Sequence, residues 1–208
     1  MPRPSTTSVE AILNAATQVA AERGPAAATV QAISIETGAP VGSLYHRFAS
    51  RESLLAQAWL RAANTFITAF VSILNECETI KDGVEAALVT PRWARANRHA
   101  AALILSHRRE EFLSAPGAAD QLGKAEKLAR VLSESVGAFV TRIDGAESPG
   151  LARSRYALIG VGDGAVRMYL PHRVPPPEVD LWVQAAYLGV MSGQDLPPGA
   201  VSARSTLV

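Results

Sequence analysis

The sequence holds a single cysteine, Cys77, in 208 residues. A lone thiol forms no internal disulfide, which excludes a cross-linked secreted scaffold and fits a reducing cytoplasm, the expected location. Cys77 falls in an apolar run at helical spacing and reads as core packing. Aromatics are scarce at 6% while alanine abounds, which favours closely packed helices. Charge of one sign is also lacking. The formal net charge is +1, so bulk charge neither demands nor excludes a nucleic-acid partner, and such a claim must rest on local residues. The longest apolar run, Ala100 to Leu105, is far too short to span a bilayer, so no membrane partner is expected. The segment from Met1 to Gly24 carries Glu10, Glu22 and Arg23 and lacks an unbroken apolar stretch, so it does not read as a leader. No repeat recurs at a fixed period.

What is present is helical periodicity. Val9, Ile12, Leu13, Ala16, Val19 and Ala20 predict a first helix, capped by Ser8 or Thr7 and ended by Gly24-Pro25. Thr29 is placed to cap a short second helix that Gly38-Ala39-Pro40 breaks. A third runs over 41–48, with Leu44 and Phe48 on one face as core residues. After Ala49, Ser50 resembles a weak cap for a long helix from Arg51 to Cys77. Interrupted at Lys81-Asp82-Gly83, the pattern continues as segments over 84–89, 91–97 and 98–113, with Pro91 at a first helical position after Thr90. A loop is expected over 114–119. Helices follow from Leu122 to Ile143, Leu151 to Leu170 and Glu178 to Met191, with a loop over 145–150. The fold class is all-α: an N-terminal three-helix helix-turn-helix domain (1–50), then a C-terminal bundle of about nine helices for ligand binding and dimerisation (51–193), with 194–208 as a loose tail.

The informative stretch is Thr29 to Leu55. It reads as two short helices joined by a glycine-containing turn, the arrangement that lets a second helix enter a DNA major groove. The spacing Gly38-x5-Leu44-Tyr45-x2-Phe48, followed by Arg51, resembles the TetR family of repressors, with Thr29, Ile33, Gly42 and Leu54 also matching. The close resemblance covers about 45 residues; the rest is similar in helix order only. Candidate DNA-binding residues are Thr29, Gly42, Ser43, Tyr45, His46, Arg47 and Arg51. Hydroxyls of Thr29, Ser43 and Tyr45 and the Arg51 cation suit phosphates, small Gly42 and Ser43 let the backbone approach, and His46 and Arg47 can reach base edges or phosphates. Three positions depart from the family pattern. Pro40 and Val41 stand where a hydroxyl cap and a polar contact are usual, and Ile35 replaces a polar residue. Through Arg51, four arginines (Arg3, Arg23, Arg47, Arg51) face three glutamates (Glu10, Glu22, Glu36), so few phosphate contacts and a shallow salt dependence are expected.

The resemblance implies a homodimer on double-stranded operator DNA and a small-molecule effector. An apolar bundle can enclose a pocket, and the candidate lining is Phe66, Phe70, Trp93, Leu103, His107, Phe139 and Met168, although each of them reads first as core. Tyr156, Tyr169, Trp182, Ala185, Ala186 and Gly189 are the candidate dimer interface, by resemblance a four-helix bundle with its twin. Two-fold symmetry then implies a palindromic operator with half-sites about 34–36 Å apart, or a multiple. No metal is expected: His99 and His107 lie eight apart on one predicted helix, unlike ligands three or four apart. Arg108-Arg109-Glu110-Glu111 reads as a solvated face. Gly160-Val161-Gly162-Asp163-Gly164 lacks a preceding strand and reads as a close helix contact, not a nucleotide loop. No cofactor is expected, and no nucleophile, base and orienter set suggests an enzyme. The readings left open are a repressor released by a small apolar ligand, a same-fold regulator without that response, and an all-helical enzyme.

Overall fold

The computed structural model describes residues 8–145 and 150–193. Thr7, the middle of the 145–150 loop and the 194–208 tail lie outside the described residues. Among those described, every regular element is helical.

Helix α1 (Val9–Arg23) starts where the Ser8 hydroxyl accepts the Ala11 N–H at 3.1 Å, and it ends at Gly24, whose φ of +83° an L side chain rarely adopts. A short 3₁₀ turn at Pro25–Ala27 leads to Thr29, which caps α2 (Val30–Thr37) by accepting the Ala32 N–H at 3.1 Å. Gly38, at φ +66°, closes α2 in the left-handed conformation. Helix α3 (Val41–Arg47) follows Pro40 with no side-chain cap. Two α2 residues stiffen the turn instead. The Ser34 hydroxyl donates to the Ala39 carbonyl at 2.6 Å, and the Ala39 N–H donates to the Thr37 hydroxyl at 3.1 Å. Ile12, Ala16, Ile33, Leu44 and Phe48 close the centre of this three-helix unit.

Helix α4 (Arg51–Glu76) opens with Ser50 accepting the Ser53 N–H at 3.0 Å. Its 26 residues span about 39 Å. Two apolar clusters divide it. Leu54, Leu55, Ala58 and Ala62 pack with α1–α3, and Phe66, Phe70 and Leu74 pack with the C-terminal helices. The first cluster also takes in Leu103, Phe112, Leu113, Ala118 and Ala125, so the N-terminal unit shares its core with the rest of the chain.

Beyond α4 come α5 (Gly83–Ala87), α6 (Val89–Ala96), α7 (Arg98–Leu105), α8 (Glu110–Leu113) and α9 (Ala119–Asp144), the last packed along α4. The single segment expected over 98–113 is two helices. The chain leaves α7 after Leu105 and restarts one turn of α8, where the Glu111 carboxylate accepts the Arg108 N–H at 2.7 Å and Phe112 and Leu113 turn inward. His99 and His107 therefore do not share a helix. Pro91 is the third residue of α6, not the first, still within the turn whose N–H groups lack helical partners. The loop expected over 114–119 contains a 3₁₀ turn at Pro116–Ala118, and α9 starts at Ala119.

The helix expected from Leu151 to Leu170 is α10 (Leu151–Arg155) and α11 (Val161–Arg167), joined by a π turn at Tyr156–Gly160. Gly162 marks the close approach of α6: a Cβ there would lie 2.9 Å from the Thr90 Cβ. Helix α12 (Glu178–Met191) completes the chain. Its fully buried Tyr187 donates to the Ile80 carbonyl at 3.0 Å. Arg95 grips both oxygens of Asp180 on α12, at 2.8 and 2.9 Å.

Candidate nucleic-acid interface

Helix α3 is built for presentation. Leu44 on its inner face and Phe48, the extended residue just past its end, are sunk into the core and anchor it. Gly42, Tyr45 and His46 lie on its exposed face, with Tyr45 53% accessible. Ser43 and Arg47 are half-buried, and they are tied together: one Arg47 nitrogen donates to the Ser43 carbonyl at 3.0 Å and to the Ser43 hydroxyl. Thr29 is exposed at the start of α2, its oxygen already accepting the α2 cap bond.

Arg51, expected to supply a phosphate cation, is engaged within the protein. Its Nε donates to the Ala28 carbonyl at 3.0 Å, and one terminal nitrogen donates to the Pro25 carbonyl. The other lies 3.4 Å from Glu52. These bonds clip the start of α4 to the α1–α2 connection. Periodicity cannot reveal them, since the partners stand 23 and 26 residues upstream. Ile35 is 77% exposed on α2.

The unit is also tied to the helices behind it. Glu22, at the end of α1, meets His99 at 2.9 Å and Arg98 at 3.3 Å, and Arg98 donates to the Pro171 carbonyl at 2.7 Å. Arg61 of α4 donates to Asn14 of α1 at 2.7 Å. None of these carries a local sequence signal.

The seven candidate pocket residues do not converge. Phe66 lies against Phe70 at a tilt, 6.1 Å between centroids, and meets the Trp93 ring edge-on at 5.2 Å. Phe139 is buried near Gly83 and Tyr187, and Leu103 belongs to the other apolar cluster. His107 sits in the α7–α8 break with its ring 6.2 Å from that of Phe112, and its buried Nε2 has no hydrogen-bond partner among the described residues. Met168, 79% exposed, faces away from the interior. Of the interface candidates, Tyr156 and Trp182 are each 59% exposed; Ala185, Ala186 and Gly189 are exposed and Tyr169 half-buried.

No group of three His, Cys, Asp or Glu side chains is placed to hold a metal among the described residues. Nor is any described helix long and apolar enough to cross a membrane.

Residues 12–58 match the family model of bacterial regulatory proteins, tetR family. The N-terminal unit is a TetR-family DNA-binding domain. The likeness in fold extends over most of the chain. PfmR, a TetR family transcriptional regulator from Thermus thermophilus, is 21% identical with a TM-score of 0.65, covering 88% of this chain and 98% of its own. The fatty acid degradation regulator FadR from Bacillus halodurans is 16% identical with a TM-score of 0.65, over 94% of this chain and 99% of its own. FadR from Bacillus subtilis, in complex with stearoyl-CoA, is 16% identical with a TM-score of 0.64, over 89% and 99%. At these identities the likeness is one of fold. A comparison with curated proteins gives no match. The chain thus joins an N-terminal segment that matches the tetR-family model to a fold like that of solved TetR-family regulators.

Proposed function

We propose that this TetR-family chain is a homodimeric repressor that holds a palindromic operator and leaves it when a small apolar ligand binds among its C-terminal helices. The observation that carries the reading is the α3 surface: Tyr45 and His46 stand free on a helix whose other face is locked by Leu44 and Phe48. Tyr45, His46, Gly42 and the Thr29 end of α2 are assigned to DNA. Arg47 joins them if contact with DNA frees it from Ser43. Arg51 is assigned to holding the domain together.

The dimer reading rests on exposed apolar surface. Leu181 and Trp182 on α12, with Tyr156 and Met168 on the α10–α11 side, are each more than half exposed, with small Ala185, Ala186 and Gly189 nearby. An apolar area of this kind marks an association site. A helix pair meeting its twin there sets the spacing of the two α3 helices.

Release needs a ligand that binds two conformations unequally. Helix α4 spans both apolar clusters, so a shift of its Phe66–Phe70 half carries to its Leu54–Leu55 half. Phe66, Phe70 and Trp93 are the assigned effector contacts, with the division near residue 50 separating reader from sensor. The stearoyl-CoA held by the FadR of Bacillus subtilis supports a small-molecule effector in this fold. A second reading, the same regulator with no effector, is favoured by the near-complete burial of Phe66, Phe70, Leu103 and Phe139, which fill the interior themselves. A thermal-shift screen of apolar compounds, with DNA release as the second readout, separates the two. Stabilisation coupled to release supports an effector; stabilisation by none supports the second reading.

A further inference from the structure

We propose that the cleft between α1, α4 and α9 is a binding site for a carboxylate-headed amphiphile, separate from the Phe66–Trp93 cluster. The cleft holds about 670 Å³, within the range of small-molecule sites. Leu13, Leu60, Leu128 and Val131 give it apolar walls, and Val131 is 44% exposed. The charged side chains lining it are Arg61, Lys124 and Lys127 against Asp120. Lys124 pairs with Asp120 at 2.6 Å, which leaves Arg61 and Lys127 as the excess positive charge. Arg61 spends one nitrogen on Asn14 and none on an ion pair among the described residues, and burial pulls its pKa below the ordinary value while Glu10 opposes the shift.

A second observation points the same way. Gln121 also lines the cleft and is only 8% exposed, yet no group among the described residues hydrogen-bonds its side chain. Its amide is not sealed off, so the exposure it keeps includes its polar atoms. A buried amide left without a protein partner costs free energy unless solvent or a ligand completes it. Apolar walls, two cations without an ion pair among the described residues and an open amide donor together fit an alkyl or aryl body ending in a carboxylate. Leu13 belongs to the DNA-binding domain and Leu128 to the helices behind it, so an occupant touches both.

The test is calorimetric titration of the full-length protein with butyrate, hexanoate, octanoate and 1-octanol. Each added pair of methylenes is expected to tighten binding about tenfold, and 1-octanol to bind at least about tenfold more weakly than octanoate, as expected when an ionised group's hydrogen bonds are removed. Two surface variants locate the site: Val131→Asp and Lys127→Gln should each weaken octanoate binding about tenfold or more while far-UV circular dichroism and Tm stay near those of the parent. A flat chain-length series, equal binding of alcohol and acid, undetectable octanoate binding at 20 mM (roughly the weakest affinity a cleft of this size would justify), or variants that bind like the parent would each overturn the proposal. The titration uses no DNA, so its failure is distinguishable from failure of the repressor reading.

Discussion

Replacing Arg51 by Ala should unfold the DNA-binding domain more readily without removing a phosphate contact. Two of its donors reach the Ala28 and Pro25 carbonyls across the α1–α2 connection. A hydrogen bond from a charged donor contributes about 1.5–3 kcal/mol. The Arg51 side chain is 29% exposed, so solvent screening pulls the pair toward the low end, about 2–3 kcal/mol together. The Glu52 contact at 3.4 Å adds little. For a chain of this length, that corresponds to a Tm lower by roughly 4–12 °C. Denaturant melts give the loss, and operator binding measured well below Tm across a salt series gives the charge count. The structural role predicts the parent's salt slope and affinity within a few-fold. If Arg51→Ala melts with the parent while the slope falls by about one per half-site, the side chain is a phosphate contact and the clip is incidental.

Four other outcomes follow from the packing and the charge. Gly83→Ala drives a carbon into the Tyr187 hydroxyl and to 2.9 Å from Phe139; a loss of about 1–3 kcal/mol in urea melts is expected, part of it recovered by adding Tyr187→Phe. Burial raises the Asp163 carboxyl from 3.8 to about 6, with Arg167 opposing. The folded state holds that proton more tightly than the unfolded chain, so stability should fall as pH rises from about 4 to about 6 and then level off. Asp163→Asn should remove this slope and add about 1–3 kcal/mol at pH 7, and parallel pH curves for the two proteins would refute it. Trp182→Glu puts a charge on the exposed α12 face and should shift sedimentation from dimer to monomer; an unchanged dimer places the interface elsewhere. Removing the Glu22 carboxylate (Glu22→Gln) breaks its ion pair with Arg98 and alters its contact with His99. These groups are about one-third exposed, so the stability cost should stay within about 1 kcal/mol, and a larger effect on effector-driven release would show that the contact couples the domains.

The helices around the DNA-binding face were legible because their signals are local. Ser8, Thr29 and Ser50 cap where a hydroxyl precedes an apolar-periodic run, and Gly24 and Gly38 end helices at positive φ. Leu44 and Phe48, four apart in the sequence, are both core, although α3 ends at Arg47 and Phe48 is extended. The break after Leu105 was not legible. The apolar spacing across 98–113 suits one helix, and only the inward turn of Phe112 and Leu113 requires two. The π turn at Tyr156–Gly160 likewise leaves the apolar pattern almost unchanged. Arg51 shows the main limit. A basic residue near a recognition helix suggests phosphate by charge, but its acceptors are carbonyls far upstream, which no spacing rule reaches. The seven pocket candidates are dispersed for a related reason: Phe66, Leu103 and Met168 all fit an apolar helical pattern, yet the first two lie in different clusters and the third is in solvent.

The central claim is that α3 reads a two-fold-symmetric site. Selection of bound sequences from random duplex DNA, with the parent and with Tyr45→Ala shown to keep the same oligomeric state, tests it most directly. The account predicts that the parent enriches an inverted repeat with half-sites one helical turn apart, about 34–36 Å, or a multiple of it, and that Tyr45→Ala enriches nothing. Enrichment of the same repeat by Tyr45→Ala, or recovery by the parent of sequences without two-fold symmetry, would contradict it.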